Sequence, residues 1–231
     1  MPRIVAVTGA AGALGQEVFN HFAAEGDTVI ALDYSNATLA ETFPDRKEPH
    51  RYLAVDLTSR AACAAVFAEV MQETGPIHVL CNIAGGFLMG ESVHETSDAS
   101  WDFLFNLNTR SIVNTAAVVV PAMLDRGGGK IINVAARAAS AGAAQMGAYT
   151  ASKAAVMRLT ESMALELRDQ QINVNCIMPG VIDTPRNRDD MPDADHARWV
   201  PPAQLASVIG FLASDDAIAV HGAAIPVDGL S

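Results

Sequence analysis

The chain has 231 residues, half of them hydrophobic and 18% charged, with a formal net charge of −11. That length and apolar content suit one large α/β domain or two small ones, with a substantial buried core. The acidity disfavours nucleic-acid and anionic-membrane partners, and no uninterrupted apolar run is long enough to span a bilayer.

Taken in chain order, residues 3–8 form a short apolar run ending in glycines and read as the first strand. Helical spacing follows over 14–25, with Gly26 placed to close the helix. Apolar runs at 28–33 and 52–55 predict the second and third strands, the latter closed by Asp56. A helix is expected over 59–74, a strand over 77–82, one long helix over 98–124 and a fifth strand over 130–135. The next helix carries Tyr149 and runs to about 169. Residues 172–178 read as strand six, stopped by Pro179-Gly180, and a last helix (202–213) and strand (223–227) complete the chain. Strands that are near-continuous apolar runs, alternating with helices, predict a parallel sheet covered on both faces. The expectation is a single Rossmann-type domain over 1–231, doubly wound, with about seven strands and a short substrate lid near 184–201.

Met1-Pro2-Arg3 leads straight into the first strand without a signal-peptide pattern. Cys63, Cys81 and Cys176 are scattered, form no C-x-x-C pair and read as reduced core thiols, which predicts a cytoplasmic protein. The histidines have no metal-ligand spacing, and no metal is expected.

Two local patterns carry chemistry. The first strand runs into Gly9-Ala10-Ala11-Gly12-Ala13-Leu14-Gly15 and then a helix. Glycines there allow a tight turn and close backbone approach, and the helix N-terminus can face a pyrophosphate. Strand two ends at Asp33, where a carboxylate can accept from the adenosine ribose hydroxyls and would repel a 2′-phosphate. No Arg or Lys directly follows it, so NAD(H) is predicted over NADP(H). Asp56 with Leu57 could flank the adenine, and Asn82, Ala84 and Gly85 close strand four where the chain can pass near the cofactor. The second pattern is Tyr149-Thr150-Ala151-Ser152-Lys153, which puts a phenol and an ammonium one helical turn apart. A lysine beside a phenol favours the phenolate, so Lys153 is expected to lower the Tyr149 pKa from about 10 and make a usable proton donor.

Together these residues resemble the short-chain dehydrogenase/reductase family over nearly the whole chain. The matching positions are Gly9/Gly12/Gly15, Asp33, Asp56, Asn82 to Gly85, Asn108, Tyr149/Lys153, Pro179-Gly180-Val181-Ile182-Asp183-Thr184 and Val227-Asp228-Gly229. The resemblance implies an oxidoreductase acting on a small molecule, and a homo-oligomer, tetramer or dimer, built through two long central helices. It implies Tyr149 as acid/base, Lys153 as its partner on the nicotinamide ribose, and Asn108 as holder of a relay water. Pro179, Gly180, Ile182 and Thr184 would position the nicotinamide end.

Two positions depart from the family pattern. The second glycine is Gly12, one position before the usual place, which Ala13 fills. The family's catalytic serine falls at position 136, which is alanine here; Ser140 is out of register. Losing a comparable oxyanion donor costs about 2.7–4 kcal/mol, so an ordinary ketone reductase should suffer and an activated acceptor should suffer less. The dihydropteridine reductases resemble this chain at both departures, in Ala84-Gly85-Gly86-Phe87 and in the stretch from Asp183 to Trp199. That points to a quinonoid dihydropterin as acceptor. Alternatives are a small-ketone, alcohol or 3-oxoacyl reductase that tolerates Ala136, and a catalytically silent NAD-binding sensor or subunit. Trp101 and Trp199 either stack on a planar substrate or pack locally. Arg137 either reaches an anionic substrate or stays on the surface, and Met146 and Phe87 are either pocket walls or core.

Overall fold

The computed structural model describes residues 2–230. The elements in chain order are β1 (Ile4–Thr8), α1 (Ala13–Ala24), β2 (Thr28–Asp33), α2 (Asn36–Thr42), β3 (Arg51–Ala54), α3 (Arg60–Thr74) and β4 (Val79–Asn82). They continue with α4 (Asp98–Phe105), α5 (Ser111–Arg126), β5 (Gly129–Val134), α6 (Gly147–Leu167), β6 (Ile172–Pro179), α7 (Pro185–Asp190), α8 (Pro202–Leu212) and β7 (Ala224–Val227). The strands form one seven-stranded parallel sheet in the order β3-β2-β1-β4-β5-β6-β7. This is the doubly wound Rossmann-type α/β arrangement that the sequence predicts.

Both faces of the sheet are covered, which is why its strands read as apolar runs rather than alternating ones. Val5 and Val7 face a cluster with Val18 and Phe22 of α1 and Leu205 and Ile209 of α8. Ile4 and Ala6 point the other way, into a cluster with Phe67 of α3, Met123 of α5 and Ala164 of α6. The strand order reverses between β1 and β4 while the strands stay parallel, so the crevice beyond their carboxyl ends is the expected ligand site of such a sheet.

The predicted helix over 98–124 is broken. A single π turn, Asn106–Arg110, separates α4 from α5. The apolar pattern continues through it, so periodicity alone does not reveal the extra residue per turn; π turns of this kind concentrate at functional sites. Two short helices fall outside the sequence reading. Ser35 starts α2 by accepting from the Ala37 and Thr38 amides, and Thr184 starts α7 by accepting from the Asn187 amide. The three cysteines are buried and unpaired, and burial pushes the Cys63 and Cys176 thiols up to about 11, as inert core thiols require. Among the described residues no helix is long and apolar enough to cross a membrane.

Candidate active site

The glycine loop lies at the carboxyl end of β1. Gly9 has a left-handed φ of +65°, and a Cβ on it would sit 2.8 Å from the Ala84 Cα. A Cβ on Gly15 would sit 2.1 Å from the Gly9 carbonyl oxygen. The turn therefore closes only around bare backbone, and it packs directly on the segment after β4. Thr8 fixes that packing, since its Oγ1 accepts from the Ile83 and Ala84 amides. Gly12 begins α1 without a side-chain acceptor. The first-turn amides of Ala13, Leu14 and Gly15 are thus left for an external anion, which fits a dinucleotide pyrophosphate.

Asp33 stands beside this loop. Its Oδ2 accepts from the Ala11 amide at 3.0 Å and its Oδ1 from the Tyr34 amide at 2.7 Å. One carboxylate thus marks the end of β2 and ties it to the loop. Asp56 is engaged locally by the Thr58 amide and hydroxyl, and the Leu57 side chain is buried in the core. Asn82 is also turned inward. Its Nδ2 donates to Asn133 Oδ1 and its Oδ1 accepts from Thr115 Oγ1, while Asn133 donates to Thr160 Oγ1. This buried chain crosses from α5 through two strands to α6.

The second half of the site gathers three segments. In the π turn, Asn108 Oδ1 accepts from the Gly86 amide at 2.8 Å, and its Nδ2 donates to the Gly86 carbonyl and to Ser152 Oγ, each at 3.0 Å. Ser152 Oγ donates in turn to the Tyr149 carbonyl at 2.8 Å. Lys153 is only 5% exposed and donates from Nζ to the Val134 carbonyl at 2.9 Å. A Cβ on Gly85 would lie 3.0 Å from both Asn108 Oδ1 and Lys153 Nζ, so Gly85 roofs the two. Asn108, Lys153 and Gly85 are thus brought together, and the Ser152 bond to the Tyr149 carbonyl ties the tyrosine's turn to them. Ser152 and Gly86 join them; both lie within the quoted motifs, where the sequence alone assigns neither a role of its own. The signal for Ser152 is its place three residues after Tyr149, where a serine hydroxyl can bond back to the preceding turn.

The electrostatics differ from expectation. Burial pushes Tyr149 up to about 12 and pulls Lys153 down to about 8. The expected lowering of Tyr149 by Lys153 is not what this structure has. Both groups are withdrawn from water, and desolvation disfavours the charged form of each; nearby Cys176 only partly offsets this at Lys153.

Tyr149 borders a cavity of about 90 Å³ whose walls include Leu88, Met89, Leu104 and Met146, with Glu91 as its one charged residue. Phe87 meets the Tyr149 ring edge-on at 4.8 Å. Ala136 is buried at the end of β5 with no hydroxyl to offer. The neighbouring Arg137 turns to Asp228, Nε to Oδ2 at 3.1 Å, and does not line the cavity. Trp199 is buried against the His196 ring, and Trp101 stacks on Phe105 at 4.3 Å. Neither lines the cavity beside Tyr149.

The carboxyl end of β6 turns at Pro179-Gly180, whose Gly180 amide donates to the Val227 carbonyl. Ile182 then pairs with Val200, and the Asp183 amide donates to the Val200 carbonyl at 2.9 Å. Residues between them leave the sheet and return to the same point. Thr184 lies in this excursion and caps α7. Among the described residues no group of three His, Cys, Asp or Glu side chains could hold a metal.

The family model for short chain dehydrogenase matches residues 3–195. The chain is 38% identical to the 2-(R)-hydroxypropyl-CoM dehydrogenase of Xanthobacter autotrophicus, across 99% of this chain and 98% of that protein. It is 33% identical to a 3-oxoacyl-[acyl-carrier-protein] reductase of Thermotoga maritima, across 98% and 96%. It is 30% identical to the acetoacetyl-CoA reductase of Allochromatium vinosum, across 99% and 98%.

Proposed function

The chain belongs to the short-chain dehydrogenase family, and from that premise we propose that it is an NADH-dependent reductase of a small, activated acceptor such as a quinonoid dihydropterin. The observation that carries this reading is Ala136 in a site that keeps Tyr149, Lys153 and Asn108. An acceptor already disposed to take a hydride needs no hydroxyl aimed at a developing oxyanion.

The glycine loop from Gly9 to Gly15 and the first turn of α1 would hold the pyrophosphate. Asp33 supports NAD(H), because a carboxylate facing the ribose repels a 2′-phosphate. Gly85, Pro179, Gly180, Ile182 and Thr184 would bound the nicotinamide end. A reduced nicotinamide supplies a hydride when bound. Tyr149 holds the proton that the product needs; its raised pKa keeps that proton on Oη until it is used. Lys153 carries a charge that is easily surrendered, which suits a residue relaying protons behind the tyrosine. Asn108 spends its side chain on Gly86 and Ser152, so it positions the turn. Any relay water would be held by its backbone.

The 184–201 segment serves as a lid over the acceptor, and the whole chain acts as one domain. Half-exposed Trp101 and Phe103 on α4 and Val113 on α5 support a homo-oligomer through that face. A ketone or 3-oxoacyl substrate is the second reading, favoured by the names of the similar reductases.

The test is NADH consumption with quinonoid dihydropterin and, in parallel, a simple ketone. Fast pterin turnover that is lost in Tyr149→Phe supports the reading. Ketone turnover alone moves the protein to the second reading. NADH binding without turnover of either acceptor leaves a cofactor-binding sensor.

A further inference from the structure

The cavity beside Tyr149 has an uneven charge. No lysine, arginine or histidine lines it, and Glu91 does. Glu91 is held in place rather than loose. Its Oε1 accepts from the Ser97 and Ser100 hydroxyls at 3.1 Å each, and its Oε2 from the Ser97 amide at 3.2 Å. These neutral donors fix the carboxylate without cancelling its charge. The surrounding stretch over 87–102 adds Glu95, Asp98 and Asp102 and contains no lysine or arginine. Arg137, the cation nearest in sequence to Ala136, is committed to Asp228.

A ketone reduction builds negative charge on oxygen, and this site has lost the hydroxyl that would meet it. It has instead a fixed carboxylate at the cavity wall. Negative charge developing next to a carboxylate is opposed in a partly desolvated site, whereas positive charge is welcomed. Loss of an oxyanion donor and presence of an anionic wall are separate features that favour the same substrate. Resting on the NADH-reductase reading above, we infer that the acceptor is a compact C=N compound, an iminium or an imine of the quinonoid type, and that Glu91 selects the cationic form by charge.

The reduction forms a C–H bond at the C=N carbon with the hydride of a reduced nicotinamide. The C=N π pair becomes the nitrogen lone pair. For an iminium the positive charge passes from substrate to nicotinamide, and no proton is required. For a neutral imine the nitrogen also takes the Tyr149 proton, which solvent replaces. No oxyanion arises on either route, so alanine at 136 costs neither of them the donor that a ketone would miss.

The test compares N-methyl-1-pyrrolinium, cyclopentanone and acetoacetate as acceptors for NADH, with calorimetric binding of the pyrrolinium as a second readout. The wild type should prefer the iminium to the ketone by at least about tenfold in kcat/KM, with acetoacetate the poorest. Glu91→Gln, whose amide oxygen can still accept from Ser97, should remove about tenfold of iminium kcat/KM and of iminium affinity while leaving the ketone within about twofold. Glu91→Asp should restore most of the loss. A ketone reduced as fast as the iminium overturns the inference and leaves the reductase reading standing. So does an equal loss on both acceptors in Glu91→Gln, which is the signature of a purely structural residue. If none of the three is reduced, turnover of quinonoid dihydropterin decides the reductase reading separately. The binding arm then decides on charge selection: Glu91-dependent capture of the cation supports it, and its absence overturns it.

Discussion

Asn108 Nδ2 and Ser152 Oγ meet at 3.0 Å inside the protein, where Ser152 has no exposed surface. This bond joins the π turn to the helical turn that carries Tyr149, and Asn108 extends the connection to Gly86. Ser152→Ala removes the acceptor and leaves Asn108 with Gly86 alone. We expect a stability loss of about 1–3 kcal/mol and a fall in kcat larger than any rise in KM for NADH. Denaturant unfolding and steady-state kinetics measure both; an unchanged kcat would show that the link is structural only.

Tyr149→Phe deletes the proton and keeps the ring that Phe87 packs against. Turnover of a proton-requiring acceptor should fall by about 10²–10⁴-fold, while NADH binding followed by fluorescence stays near wild type. Residual activity above a tenth would remove Tyr149 from the acid/base role.

Ala136→Ser puts a hydroxyl back at the end of β5. Ketone kcat/KM should rise by about 10²-fold, and reduction of a C=N acceptor should change little. Equal gains on both acceptors would contradict the reading of Ala136.

Lys153 gives a prediction in stability. Its folded pKa is about 8, below the ordinary lysine value of 10.5, so between those pH values the unfolded chain binds more protons than the folded one. Stability from this group therefore rises as pH climbs through that window, and its desolvation penalty is fully present below pH 8. Relative to Lys153→Met, the wild type should gain about 2 kcal/mol between pH 7 and pH 10. Urea unfolding at the two pH values checks the sign; a wild type that loses ground would refute it. Above pH 10, Tyr149 acts in the opposite sense, because its folded pKa lies near 12 and the unfolded chain releases the proton first.

Gly15→Ala should be the most damaging one-carbon change in the loop. The added methyl meets the Gly9 carbonyl at 2.1 Å and the Ala10 Cα at 2.7 Å, both backbone. Overpacking of this kind costs about 1–3 kcal/mol and would also displace the anion-facing amides. Thermal unfolding and NADH titration should both register it. Gly12→Ala, whose added carbon reaches only to 3.4 Å of the Gly9 carbonyl, is the milder control.

Much of this molecule was legible in its residues, for identifiable reasons. The strands could be read because burial on both faces leaves unbroken apolar runs, and the loop because Gly9 and Gly15 answer to backbone contacts that no other residue tolerates. The π turn at Asn106–Arg110 was not legible, since one extra residue per turn leaves the apolar pattern continuous. The inward turn of Asn82 was hidden too. Its partners Asn133 and Thr115 come from distant segments, and an asparagine at a strand end reads equally well as facing a ligand. The pKa values went against the sequence reading because spacing reports which charges are neighbours and says nothing of how much water they have lost.

The excursion between Asp183 and Val200 starts and finishes at one hydrogen bond, with Ile182 and Val200 paired at its neck. Gly229 packs on the Arg198, Trp199 and Val200 backbone, and the Leu230 amide donates to the Arg198 carbonyl, so the neck is clamped from outside as well. A segment whose ends coincide can be lengthened, shortened or exchanged while the sheet keeps its register. The fold thus carries an interchangeable cassette on a fixed chassis, through which descendants of this chain can acquire new appetites without relearning how to fold.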